Sequence, residues 1–167
     1  MIKKQSVIFY IFFVLAIAIN VFIIVEGAID SDGSSSQSLG ITNFIIDIIK
    51  NIAPNSRVAT DPDYAHYLVR KLIGHFGLFG VSGIITTTMF CLIKDVLADK
   101  KLKIVLIDAG TGLLVAILSE VMQLFAPGRA FAVTDILIDL SGYVLFGWIT
   151  FMIFFLVYRH KHKEKQE

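Results

Sequence analysis

The chain alternates between four long apolar runs and shorter polar connections. The apolar runs cover residues 6–25, 72–93, 104–126 and 136–158. A helix needs about 20 mostly apolar residues to cross ~30 Å of hydrocarbon, and each run meets that length. The pattern therefore predicts an all-α, polytopic membrane protein, built as a bundle of four transmembrane helices.

The first run follows Lys3 and Lys4 and has the position of a secretory signal. Its apolar stretch is longer than a typical signal core, and the pair Gly27-Ala28 makes a poor cleavage site. We therefore expect this segment to remain in the mature protein as the first spanning helix.

The connection from Glu26 to Lys71 changes in composition along its length. Residues 29–40, IDSDGSSSQSLG, are rich in Ser and Gly and are expected to be flexible. Residues 41–53, ITNFIIDIIKNIA, gather their polar side chains on one helical stripe and are too few to span. They predict an amphipathic helix that lies in the outer membrane interface or packs on the end of the bundle. Asp61-Pro62 then forms a plausible helix start, so the second spanning helix is expected to begin outside the lipid.

Composition supports a lipid environment and excludes several other classes. The chain is 56% hydrophobic with a mean hydropathy of +0.75, which makes a soluble fold improbable. The net charge of +1 indicates no nucleic-acid partner. Because Cys91 is the single cysteine, an intrachain disulfide and a cysteine-based zinc site are excluded.

The placement of Lys and Arg predicts the orientation in the membrane. Most of these residues lie at the two termini and in the loop between the second and third runs. The positive-inside rule assigns these regions to the cytoplasm, so the N and C termini are expected to be cytoplasmic. The tail RHKHKEKQE could also be read as a nucleic-acid patch or, through its histidines, as a metal-binding tract. A solvated tail that contacts anionic lipid is the simpler interpretation.

Polar side chains interrupt the apolar runs at one end of the predicted bundle. Spacings of three or four residues place them on one face of each helix, as with Lys71 and His75, Glu120 and Gln123, and Asp135 and Asp139. The link between the third and fourth spans would hold Arg129 over the same spot, with Thr134 or Asp135 capping the last helix. Helical rise puts His75, Glu120 and Asp139 roughly 6 to 9 Å inside the outer boundary. Since an ionised carboxylate facing lipid costs at least ~2.5 kcal/mol near the bilayer centre, these groups are expected to share a pocket.

The run E-V-M-Q-L-F-A-P-G-R-x5-D-I-L-I-D-L-S-G, preceded by K-L-I-G-H-F, resembles the VanZ-like family. These are small bacterial membrane proteins named for one that raises resistance to the glycopeptide teicoplanin. The resemblance is strongest over residues 71–147 and implies one integral membrane domain, 1–167, with several passes through the bacterial plasma membrane. The family's characteristic positions would be Lys71, His75, Glu120, Gln123, Arg129, Asp135 and Gly142. One position departs, because this chain has Asp139 where the family usually has asparagine.

Three functional classes are compatible with these residues. The resemblance favours a non-enzymatic envelope protein that affects teicoplanin susceptibility through an outward-facing polar pocket. This pocket would bind a membrane lipid, a lipid-linked wall precursor or a glycopeptide moiety through Lys71, His75, Glu120, Gln123, Arg129, Asp135 and Asp139. The second class is a membrane-embedded enzyme for a lipid-linked substrate, with His75 or Glu120 as the acid-base group. A transporter or proton relay is the weakest class, because only Asp108 continues the polar path toward the other face.

We predict no cofactor and no metal from the sequence alone. Glu120, Asp135 and Asp139 form an oxygen-rich set with His75, and a metal there is conceivable. Their spacing along the chain, however, matches no strong ligand motif.

Simpler structural interpretations apply to several of these residues. His75 could be a hydrogen-bonded histidine between helices, and Arg129 a clamp on the hairpin. Asp108 is expected to pair with Lys101 and Lys103 near the start of its helix. Glycines recur at every third position over residues 74–83, which predicts close helix approach.

Overall fold

The computed structural model describes residues 7–93 and 101–163, and within them every regular element is a helix. The order is α1 (Val7–Gly27), α2 (Ser31–Ile52), α3 (Arg57–Thr60), α4 (Pro62–Val69), a π-helix π1 (Arg70–Gly77), α5 (Leu78–Cys91), α6 (Lys101–Gln123) and α7 (Val133–Lys163). Lys3, Lys4 and most of the basic loop between α5 and α6 lie outside the described residues.

Four helices are long and apolar enough to cross a membrane. They are α1, the continuous rod Pro62–Cys91 formed by α4, π1 and α5, then α6, and α7. The prediction of an all-α chain with four helices long and apolar enough to span a membrane is therefore confirmed over the described residues. The cytoplasmic placement of the termini and the interfacial position of α2 stay predictions.

The Ser- and Gly-rich stretch is helical, so the prediction of a flexible linker is wrong. Helix α2 begins at Ser31, and the Asp30 carboxylate caps it by accepting a hydrogen bond from the Gly33 N–H at 2.7 Å. The hydroxyl of Ser38 donates back to the carbonyls of Ser34 and Ser35, which lets serine continue the helix. Helix α2 packs on α3 and α4, and this packing adds to the weak helix propensity of the serines.

The start of the second spanning rod is as predicted. The Asp61 side chain accepts from the Tyr64 N–H at 3.0 Å, and Pro62 is the first helical residue. The hydrogen bond from the Tyr64 N–H lowers the pKa of the Asp61 carboxylate and outweighs the opposing effect of desolvation. The π-helical stretch further along this rod was not predicted.

The hairpin between α6 and α7 differs from the prediction in detail. Helix α6 ends at Gln123, and Gly128 adopts a φ of 72° in the turn that follows. Helix α7 begins at Val133, so Thr134 and Asp135 lie within its first turn and do not cap it from outside.

The centre of the bundle is packed through small residues. The core cluster comprises Ile23, Phe79, Val115, Ala116 and Tyr143. A side chain at Gly83 would collide with the backbone carbonyl of Tyr143, and one at Gly80 with the ring of Phe146, so α5 and α7 approach closely there. The predicted close approach is confirmed for these two glycines. It is wrong for Gly74, which has open space around its Cα.

Asp108 does not pair with the lysines of its own helix, contrary to the prediction. Its carboxylate accepts a hydrogen bond from the Tyr143 hydroxyl at 2.7 Å and another from the Thr87 hydroxyl. Lys101 instead lies over the ring of Phe155, 4.8 Å from its centroid. Asp108, which the sequence indicated as a helix-start acid, is thus a buried residue that links α5, α6 and α7 by hydrogen bonds.

Candidate functional site

Three elements bring the predicted polar residues together at the end of the bundle that carries α2. Lys71 and His75 project from π1, Glu120 and Gln123 from the last turn of α6, and Asp135 and Asp139 from the first two turns of α7. A side chain on Gly142 would collide with the Phe76 carbonyl, so α7 and π1 touch at backbone level. This contact sets the acids of α7 directly beside His75.

His75 lies between the two aspartates of α7. Its Nδ1 is 3.0 Å from the Asp139 Oδ1, and its Nε2 is 3.6 Å from the Asp135 Oδ2. The other Asp135 oxygen accepts a hydrogen bond from the Lys71 ammonium. Lys71 therefore balances Asp135, whereas the imidazole is the one direct partner of Asp139 within residues 7–93 and 101–163.

Glu120 reaches the same cluster from α6 and is held by two donors. The Gln123 amide donates to its Oε1, and the backbone N–H of Ala132 donates to its Oε2 at 3.0 Å. The i, i+3 spacing of Glu120 and Gln123 places both on one face, as the sequence indicated. His75, Glu120 and Asp139 each offer a ligand-type atom, and these atoms lie within 4.8 Å of one another.

The cluster is sealed from solvent to an unusual degree for acidic groups. Glu120 and Asp139 are 0% exposed, and Asp135 is 6% exposed. The Asp139 Oδ2 has no hydrogen-bond partner among the described residues. Removing a carboxylate from water costs several kcal/mol unless it is paired, so a group of three buried acids needs compensating positive charge or protons.

Arg129 lies outside this cluster. Its Nη1 donates to the carbonyl oxygens of Glu26 and Ile29, at 3.2 and 3.3 Å, at and just beyond the end of α1. A cation on the last carbonyls of a helix is favourable, so Arg129 clamps the α6–α7 hairpin to α1. Partial burial, followed by the nearby Arg70 charge, lowers the pKa of its guanidinium, and the field of Glu120 opposes this.

A cavity of about 300 Å³ adjoins the cluster, between α1, α2, π1 and α6. His75 and Gln123 line it, and so does Arg129. Lys71, Glu120, Asp135 and Asp139 are not among its lining residues, so His75 and Gln123 separate the buried acids from the cavity.

The remaining walls of the cavity divide into a polar and an apolar part. Apolar contact comes mainly from α1 and the start of α5, through Phe22, Ile23, Leu78 and Phe79. Polar contact comes from Glu26, Arg70 and the face of α2 that carries Ser34, Gln37 and Ser38.

Sequence reasoning missed Arg70 and the whole α2 wall. The signal for α2 was available, because Ser34, Gln37, Ser38 and Ile41 follow the i, i+3, i+4, i+7 spacing of one helical face. Arg70 carried no such signal, since it stands beside Lys71 and resembles an ordinary charge at the end of a span.

Comparison with known proteins gives one match. The model of the VanZ/LLP1 family matches residues 7–156, which include α1 to α6, most of α7 and every residue of the acidic cluster and the cavity. No curated protein and no solved structure matches the chain. Since the match covers most of its length, the chain belongs to the VanZ/LLP1 family.

Proposed function

We propose that this protein acts in the bacterial cell membrane, where its cavity binds an anionic amphiphile and thereby alters teicoplanin susceptibility. The bound group would be the phosphate or carboxylate of a lipid headgroup, a lipid-linked wall precursor or the glycopeptide itself. The observation that carries the proposal is the amphipathic cavity, which is lined by Arg70 and Arg129 together with apolar side chains of α1 and α5.

The charges at the cavity favour an anion. Arg70 and Arg129 both line it, against the single carboxylate of Glu26. Each guanidinium offers several N–H donors suited to the paired oxygens of a phosphate or carboxylate. Only one nitrogen of Arg129 is used by the carbonyls of Glu26 and Ile29, so further donors remain for a ligand.

The apolar wall and the size of the cavity favour a ligand with a hydrocarbon part. A volume of about 300 Å³ lies at the small end of the range for ligand pockets. It suits a headgroup and the first part of an acyl or prenyl chain. Exposed apolar side chains on α2, including Phe44 and Ile48, would let the rest of the chain stay in lipid.

The distribution of positive charge supports an outward-facing cavity. Lys101 and Lys103 begin α6, and Arg159, Lys161 and Lys163 end α7, at the end of the bundle away from the cavity. Under the positive-inside rule that end is cytoplasmic, which leaves the cavity in the outer half of the membrane.

The binding test uses Arg70→Gln and a matched control, Arg57→Gln, which removes an exposed arginine stacked on Tyr64. Purified protein is titrated with phosphatidylglycerol, with a polyprenyl-linked wall precursor and with teicoplanin in separate arms, read by native mass spectrometry. We expect Arg70→Gln to weaken binding of one of these at least ~10-fold, because a charge-assisted hydrogen bond is worth about 1.5–3 kcal/mol. Equal binding by the wild type and Arg70→Gln in all three arms would contradict the proposal.

A second candidate function is a membrane-embedded enzyme for a lipid-linked substrate. It is favoured by the position of His75, which lines the cavity and also contacts the buried aspartates. A histidine placed this way can take a proton from a ligand in the cavity while a carboxylate orients its ring. Incubation with labelled bacterial lipid extract tests it: a new product that depends on His75 supports the enzyme, and bound but unaltered lipid supports the binder.

A further inference from the structure

We propose that His75, Glu120 and Asp139 form a binding site for one divalent transition-metal ion. The three residues come from π1, α6 and α7, so the site is assembled only in the folded bundle. One nitrogen and two carboxylate oxygens, mutually within 4.8 Å, are the donor types that Zn²⁺ and Mn²⁺ accept. This inference stands apart from the proposed function, because it concerns the acids behind the cavity wall.

The distance between His75 and Asp139 fits two ligands of a common ion. Two ligands about 2.1 Å from one metal are separated by roughly 3.0 to 3.4 Å in octahedral or tetrahedral geometry. The His75 Nδ1 and the Asp139 Oδ1 are 3.0 Å apart. The Glu120 carboxylate lies within 4.8 Å of the other two ligand atoms, so it has to move toward them to share one ion.

The charges of the cluster are compatible with a bound cation. Lys71 pairs with Asp135, which leaves Glu120 and Asp139 as two fully buried acids near His75. A divalent ion supplies two positive charges to two such carboxylates when they are ionised. The Asp139 Oδ2, buried and without a hydrogen-bond partner among the described residues, is an independent sign of an unsatisfied ligand atom.

Asp135 fits the role of an orienting partner. If His75 binds the metal through Nδ1, its proton is on Nε2, which is 3.6 Å from the Asp135 Oδ2, so a slight approach would complete a hydrogen bond to this carboxylate. A carboxylate that accepts from the far nitrogen of a ligating histidine fixes its ring and raises its basicity. Lys71 in turn holds Asp135 in place.

The direct test is the metal content of the purified chain, carrying an affinity tag that contains no histidine. After incubation with Zn²⁺ or Mn²⁺ and removal of excess, we expect about one tightly held ion per chain, as for other sites with three protein ligands. His75→Gln and Glu120→Gln should lose that ion. His66→Gln, which removes a histidine bonded to Ser38 instead, should keep it. Asp135→Asn should weaken affinity by about 10- to 100-fold without abolishing it.

A measurement on the unaltered protein guards against variants that fail to fold. Co²⁺ bound by one nitrogen and two oxygens gives visible absorption bands that added Zn²⁺ removes. Wild-type protein that shows neither retained metal nor a zinc-competed cobalt spectrum overturns the inference. Equal metal retention by folded His75→Gln overturns it as well. Because no lipid or drug is present, neither outcome depends on whether the cavity binds an amphiphile.

Discussion

The bundle contains two buried acidic clusters, and they differ in how completely their oxygens are satisfied. At one end, both oxygens of Asp108 accept hydroxyl donors, from Thr87 and Tyr143. At the other, Asp139 is more deeply buried, at 0% exposed against 8% for Asp108, and leaves one oxygen without a donor among the described residues. A buried carboxylate whose oxygens all accept hydrogen bonds within the protein is explained by packing. A buried oxygen without a donor indicates a partner from outside the chain, such as an ion or a ligand.

The largest effect on stability is expected from a substitution that pushes apart the helices that hold both clusters. Gly142 lies between Asp139 and Tyr143 in sequence and touches the Phe76 carbonyl. Gly142→Ala would force α7 away from π1, and we expect it to cost about 2–3 kcal/mol of stability. Gly110→Ala is the control, because nothing lies within 4 Å of a side chain there, and a gain of about 0.5–1 kcal/mol is expected. Thermal unfolding in detergent measures both, and equal midpoints would contradict the close contact.

Removal of the Asp108 carboxylate tests the cluster in which both carboxylate oxygens accept hydrogen bonds. Asp108→Ala leaves the hydroxyls of Thr87 and Tyr143 buried without their acceptor, so we expect a loss of about 1–3 kcal/mol. Metal retention and ligand binding at the α2 end should be unchanged in the protein that folds. A variant with normal stability and impaired binding would reverse the assignment of the two clusters.

Replacement of Asp139 should change metal affinity more than stability, which is the reverse of the result expected for Asp108. Asp139→Asn keeps the size of the side chain and removes a buried carboxylate that has an oxygen without a hydrogen-bond partner among the described residues. We expect a change in stability below about 1 kcal/mol, of either sign, because the lost interaction with His75 offsets the relieved burial of charge. Metal affinity should fall at the same time, as measured by competition with a chelator. A large loss of stability with unchanged metal affinity would make this cluster structural too.

The smallest effect is expected outside both clusters, at the solvated cap of α4. Its hydrogen bond from the Tyr64 N–H lowers the pKa of Asp61 below the ordinary value of 3.8. A lowered folded-state pKa gives stability that is present above pH 3.8 and is lost as the pH falls through the folded value. Asp61→Asn keeps a capping side chain without the charge, so its stability should decline less than that of wild type below pH 4. The difference in unfolding midpoint between the two proteins, followed from pH 5 to pH 3, measures the effect.

The sequence predicted the spanning helices and much of the charged cluster, because both depend on local spacing. Lys71 with His75, and Asp135 with Asp139, could be placed on shared faces from helical periodicity alone. The partners of Asp108 could not be found this way, since Thr87 and Tyr143 are distant in sequence and nearer lysines offered a plausible pairing. The helical start of α2 was missed for a related reason. Serine and glycine indicate a linker by propensity, and only packing on α3 and α4 overrides that preference.

The π-helical stretch also separates the roles of two adjacent cations, since Arg70 lines the cavity and Lys71 binds Asp135. Insertion or deletion of one residue in this stretch would turn the preceding helix by about 100°. Such a change would exchange the positions of the two basic side chains, one of which lines the cavity while the other contacts Asp135. Length, as much as residue identity, therefore specifies this part of the molecule.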